Sequence, residues 1–222
     1  MSNAVEEKTL TVKQSIMILV TVIVILSGLG YYVGHRFFWN QFDTSNLYER
    51  QIESLEEYSV KNPQSNNAKV LLFDRYFGVG DFDKAREVLK DLKKELSDNP
   101  DIIYRDALML RQDGDSEKAL EEIKEVVEQE SFFVPARILY SELLASQKNY
   151  DEALAEIQAV LKIMPAAADI YLEEAKIYLA KGDKEKALES ISKAIKMVPD
   201  YQEALDLKNQ INGQGDSGDK NI

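Results

Sequence analysis

The sequence predicts an all-α chain: one N-terminal transmembrane helix, then an α-solenoid of about four helix pairs closed by a C-terminal capping helix. Three observations predict it. Alanine recurs at a constant shift of 34 residues, at Ala85, Ala119, Ala153 and Ala187. Aliphatic residues follow each of these alanines at helical spacing. Residues 15–34 carry no charged side chain at all.

Composition limits the chemistry before any element is placed. The chain has 222 residues, a net charge of -12, 45% hydrophobic content, no cysteine and a single histidine, His35. Its length supports a core of useful size without crosslinks. Without cysteine there is no disulfide, thiolate zinc site or thiol nucleophile. The acidic balance repels phosphate backbones and no basic stripe offsets it, so nucleic acid is not an expected partner.

Residues 1–14 read as a short tail. Residues 15–34 rise about 30 Å as a helix, the thickness of a bilayer core, at roughly 1.5 Å per residue. The β-branched run from Val20 to Ile25 lowers helix propensity in water, but in lipid the backbone must satisfy its own hydrogen bonds. Tyr31, Tyr32, Phe37, Phe38 and Trp39 cluster at the C-terminal edge, where amphipathic rings favour the headgroup layer. A cleaved signal peptide and a buried core helix are the competing readings. The apolar run exceeds the roughly 7–15 residues of a signal peptide, and no Ala-x-Ala site follows. The expectation is an uncleaved single-pass anchor. Lys8 and Lys13 against Arg36 and Arg50 lean toward a cytoplasmic N-terminus and an extracytoplasmic soluble part.

Residues 35–65 read as a juxtamembrane segment and a degenerate capping helix. Tyr48, Ile52, Leu55 and Tyr58 mark an amphipathic face, and Pro63 ends it. Gln51 holds the alanine slot in this register, with Leu55 and Tyr58 in the two slots after it. Few residues separate this helix from the anchor, so the repeats are expected close to the bilayer.

The repeating part spans 66–99, 100–133, 134–167 and 168–201. Four residues after each alanine stands Leu89, Ile123, Ile157 or Ile191, and seven after stands Leu92, Val126, Val160 or Ala194; together these form one helix face. Nine residues before each alanine comes Tyr76, Leu110, Leu144 or Tyr178. Four before comes Asp81, Asp115, Asn149 or Asp183, which with Gly80, Gly114 and Gly182 marks a turn between two helices. Pro165 and Pro199 stop the second helix of a pair. Residues 202–212, with Ala204, Leu205 and Ile211, read as the closing helix, and the Gly- and Asp-rich 213–222 as a disordered tail.

This pattern resembles the tetratricopeptide repeat family, and the chain as a whole resembles a membrane-anchored member of it. In the unit from Ala168 to Tyr201, the residues Tyr171, Ala175, Tyr178, Gly182, Ala187, Ile191, Ala194 and Pro199 carry the likeness. The other units depart from it: Phe73 and Ser141 replace the small residue, and Ser131 replaces the proline. The resemblance implies a scaffold used by many unrelated systems, and no particular activity.

Candidate catalytic groups are sparse. His35 sits at the expected membrane edge, where a headgroup contact accounts for it. The pairs Asp81/Asp83 and Asp113/Asp115 lack the glycine and bidentate glutamate of a calcium loop. Capping of helix starts explains such acids, with Asp83, Glu117, Asp151 and Glu185 in the first turns. Gly78-Val79-Gly80 is too short for a phosphate cradle. No enzyme activity, cofactor, metal or small-molecule substrate is expected.

What remains is the concave surface built by successive first helices. The family register implies that it is lined by Asn67, Val70, Asp74 and Phe77; Asp101, Tyr104, Leu108 and Arg111; Ile138, Glu142 and Ser146; and Leu172 and Lys176. The resemblance implies a protein or peptide partner in this groove. Asp74, Leu108 and Glu142 stand where a clamp for a partner's terminal carboxylate needs Asn or a basic group, so an apolar segment fits the lining better. Two functions follow: an anchored adaptor holding a partner during assembly, maturation or export of an envelope complex, or a structural subunit whose membrane helix packs through Gly28, Gly30 and Gly34 into a larger complex.

Overall fold

The computed structural model describes residues 44–215, together with Met17 and Ser27, two isolated helical positions. Ten helices and no strand occur among the described residues. They are α1 (Thr44–Lys61), α2 (Asn66–Gly78), α3 (Phe82–Leu96), α4 (Pro100–Gln112), α5 (Ser116–Gln129), α6 (Val134–Ser146), α7 (Tyr150–Ile163), α8 (Ala168–Lys181), α9 (Lys184–Met197) and α10 (Gln202–Gly215). The chain divides into two compact units, Met1–Asp81 and Phe82–Ile222. The division falls inside the span 66–99.

In the first unit α1 packs on α2. Ala68, Leu72, Phe73 and Tyr76 of α2 are buried, and the Tyr76 hydroxyl donates to Glu56 of α1. Phe73 fills the place where a small residue was expected, fully buried and stacked on Phe77 at 5.6 Å. The face of α1 differs from its sequence reading. Ile52 and Leu55 are half-buried, but Tyr58 is 52% exposed and so does not act as a core residue.

In the second unit each helix from α3 to α10 packs on the next. The recurring alanines Ala85, Ala119, Ala153 and Ala187 are wholly buried, as are Ile123, Ile157 and Ile191 four residues on. Alanine at the closest approach lets paired helices cross at small separation, and the aliphatic residue one turn later fills the space beside it. Three buried clusters tile the array: the first joins α4, α5 and α6, the second α6, α7 and α8, the third α8, α9 and α10. Each repeat thus completes the core of its neighbour. Ala204 and Ile211 of α10 lie in the last cluster, and this helix runs to Gly215, past the expected end at 212.

The turns inside the pairs share one geometry. Gly80, Gly114 and Gly182 have φ of 80, 85 and 91°, and Lys148 takes the same left-handed place with φ of 64°. The next residue in each case (Asp81, Asp115, Asn149, Asp183) donates its N–H to the carbonyl five residues back. This six-to-one bond, with the accompanying five-to-two bond, is a Schellman ending. Asp115 and Asp183 then cap the following helix, accepting from the N–H of Lys118 and Lys186.

One expectation is overturned. No helix among the described residues is long and apolar enough to cross a membrane. The longest of them, α1, has 18 residues and carries Glu49, Arg50, Glu53, Glu56, Glu57 and Lys61, far from the roughly 20 apolar residues a bilayer core requires. The membrane contact through 15–34, the single-pass localisation, the extracytoplasmic repeat domain and the bilayer-held arrangement are therefore withdrawn. Residues 15–34 lie outside the described residues except for Met17 and Ser27, and so do His35 and the aromatic cluster at 37–39.

Candidate functional site

The thirteen groove positions fall on α2, α4, α6 and α8. On α2, in the first unit, Asn67 and Asp74 are exposed while Val70 and Phe77 are half-buried. On α4, Tyr104 and Leu108 pack against the first core cluster and keep one side open, and the Tyr104 ring tilts against Phe133 at 5.4 Å. Ile138 of α6 does the same against the second cluster. Ser146 donates to the Leu143 carbonyl at 2.7 Å, closing the end of α6. Leu172 is only 1% exposed and belongs to the core. Its aliphatic chain could be read either way from the sequence, and its contacts decide for packing.

Charged groups link the first helices to one another. Arg111 of α4 donates to Glu142 of α6 as an ion pair. Lys176 of α8 donates to Glu173, one turn back, and to Glu203 of α10, each at 2.8 Å. Burial pushes the Glu142 carboxyl up, Arg111 holds it down in part, and Glu173 raises it again. Burial works against charge on Lys176, but its two carboxylates more than offset this and hold its ammonium well above the ordinary range. Asp101 pairs with Arg105 at 2.7 Å along α4. The sequence reading passed over Glu173 and Glu203. Glu173 lies one helical turn from Lys176, and Glu203 occupies the second position of the unit that a further 34-residue step would begin at 202. Both were within reach of the same register.

Between α6, α7 and α8 lies a cavity of about 200 Å³ lined by Ser141, Glu142, Ala145, Ile157, Glu173, Lys176, Ile177 and Ala180. Ser141 stands where a small residue was expected. Its hydroxyl is buried and donates to the Ala153 carbonyl at 2.9 Å, which satisfies the one polar atom the substitution introduces. A second cavity of about 470 Å³ is walled by α3, α4 and α5, with Lys93, Asp106, Glu122 and Glu125 among its lining residues. Among the described residues no group of three or more His, Cys, Asp or Glu side chains could hold a metal ion.

Sequence models of the tetratricopeptide repeat match residues 104–168 and 144–211. Residues 104–211 belong to the tetratricopeptide repeat family. Solved structures agree with the family in fold. YrrB, a TPR protein with an unusual peptide-binding site, is 25% identical over 77% of this chain and 88% of its own, with a TM-score of 0.56. TTC0263, a thermophilic TPR protein in Thermus thermophilus, is 20% identical over 77% and 93%, with a TM-score of 0.65. MamA from Desulfovibrio magneticus RS-1 is 22% identical over 69% and 86%, with a TM-score of 0.58. No curated protein matches the chain. As a tetratricopeptide repeat α-solenoid, the protein has the architecture of a protein–protein interaction scaffold or adaptor, an architecture whose members are generally not enzymes.

Proposed function

We propose that this tetratricopeptide repeat protein is an adaptor that holds an extended segment of a partner protein along the first helices α4, α6 and α8 of its second unit. The observation that carries the reading is the set of half-open apolar residues Tyr104, Leu108 and Ile138 on first helices that also carry the ion pairs Arg111–Glu142 and Lys176–Glu203. Apolar anchors flanked by polar groups are what an extended peptide needs: the anchors supply affinity and the charges supply register. Asp101 and Ser146 extend this set on the same helices. On α2 of the first unit, Asn67, Val70, Asp74 and Phe77 form a separate candidate surface of the same kind. YrrB, a TPR protein with an unusual peptide-binding site, supports a peptide ligand for this fold.

Photoreactive groups placed at Tyr104 and Leu108 test the reading. They should capture a partner polypeptide, while the same groups at Lys124 and Gln158, exposed on the second helices α5 and α7, should capture none. Labelling of equal strength at all four sites would overturn it.

A further inference from the structure

We infer that the cavity between α6 and α8 receives a lysine or arginine side chain from the partner segment, with Glu142 and Glu173 taking the cationic head. This deepens the adaptor reading and rests on it. The apolar lining of the cavity is Ala145, Ile157 and Ile177, with Ala180 at its exposed edge, and its charged lining is Glu142, Glu173 and Lys176. An apolar lining together with a charged one matches a side chain with an aliphatic stem and a charged end.

The sign of the charge follows from counting hydrogen-bond capacity. Lys176 already spends two of its three donors, on Glu173 and Glu203, and the Ser141 hydroxyl is spent on the Ala153 carbonyl. Each carboxylate has room for about four donors. Glu142 accepts from Arg111 on Oε2, and Glu173 accepts from Lys176 on Oε1. Their other oxygens take no hydrogen bond from another described residue. The charged lining therefore offers open acceptors, which an ammonium or guanidinium fills and a carboxylate does not. Glu142 and Glu173 also repel each other, against partial relief from Arg111 and Lys176, and a further cation seated between them lessens that repulsion. The chain's net charge of -12 draws basic segments toward it from a distance.

The test uses the full chain with its alanine and isoleucine methyl groups isotope-labelled, titrated by NMR with three probes: the N-acetyl methylamides of lysine, norleucine and glutamate. The lysine probe should shift the methyls of Ala145, Ala180, Ile157 and Ile177 saturably, at an affinity about fivefold above norleucine, the factor expected of one partly exposed ion pair. The glutamate probe should leave them unmoved. Glu142→Gln with Glu173→Gln should level lysine with norleucine. Ala180→Leu, which fills the cavity from its exposed edge, should abolish every response, with circular dichroism verifying the fold of both variants. Equal response to lysine and norleucine, a preference for glutamate, or no response at all would overturn the inference. Partner capture at Tyr104 and Leu108 without a lysine preference would sink this inference and leave the adaptor reading standing. A saturable lysine response without partner capture would sink the adaptor reading and, with it, the assignment of the side chain to a partner, leaving a cation-binding cavity alone.

Discussion

The residue that most directly tests the repeat geometry is Ile157. It is wholly buried one turn after Ala153, where the second helix of its pair meets the first helices on either side. Ile157→Ala should cost about 2–5 kcal/mol in urea unfolding, because the methyl groups removed leave a space that closely packed helices cannot close. A cost below about 1 kcal/mol would mean that the site collapses freely. Lys148 is the opposite case. It holds the left-handed turn position that Gly80, Gly114 and Gly182 hold elsewhere, and a side chain in that conformation costs roughly 1–2 kcal/mol. Lys148→Gly should therefore raise stability, by about 0.5–1 kcal/mol after the unfolded chain's gain in freedom is deducted. Gly182→Ala should lower it by about 1 kcal/mol. A Cβ at Gly182 meets nothing within 4 Å, so that cost is one of backbone conformation and not of collision. If both variants left the midpoint of thermal unfolding unchanged, the turn geometry would not be limiting.

At the scale of elements, α3, α4 and α5 enclose one acid whose charge the fold disfavours. Burial, followed by the nearby charge of Asp106, pushes the Glu122 carboxyl up to about 7, against partial relief from Lys93. Its Oε2 is buried without a hydrogen-bond partner. The folded chain therefore holds this proton more tightly than the unfolded chain does. Stability falls as pH rises from about 4.5 to about 7 and stays lowered above that. Glu122→Gln, which keeps the neutral shape, should stabilise the protein at pH 8 by about 1 kcal/mol, after discounting for solvent screening of a partly exposed group, and by little at pH 4.5. Urea midpoints at the two pH values measure this, and an equal gain at both would show that the effect is not protonation. Glu122 also marks where the sequence stopped being informative. The helices, their turns and the alanine face follow from spacing, because a period of 34 and a helical stripe depend only on which residues recur. Whether an acid on that stripe faces water depends on the helix beside it. Spacing alone does not separate Glu122 from a solvated acid, nor does it separate Glu174, which is buried and accepts from Ser190 at 2.7 Å. The candidate site divides in the same way. Tyr104, Leu108 and Ile138 follow from register, and the pairing of Lys176 with Glu173 from helical spacing, whereas the links from Arg111 to Glu142 and from Lys176 to Glu203 needed the stacking of separate repeats.

For the molecule as a whole, the consequence of stacking is that stability is passed between neighbours and not shared evenly. Ala204 and Ile211 of α10 are buried in the cluster formed with α8 and α9, and no helix among the described residues covers the outer side of α10. Deleting residues 202–222 exposes that cluster to water. Loss of the buried Ile211 alone removes about 2–5 kcal/mol of local stability. In a nearest-neighbour array this loss stays close to where it is made. The amide protons of α8 and α9 should then exchange much faster with solvent in the truncated chain, while those of α4 and α5, two repeats away in the first cluster, should exchange at nearly their original rates. Hydrogen exchange followed by mass spectrometry separates the two regions. If α4 and α5 lost protection as fully as α8 and α9, the second unit would unfold as one cooperative block, and the proposed peptide site on α4, α6 and α8 would depend on a helix that none of its residues belongs to.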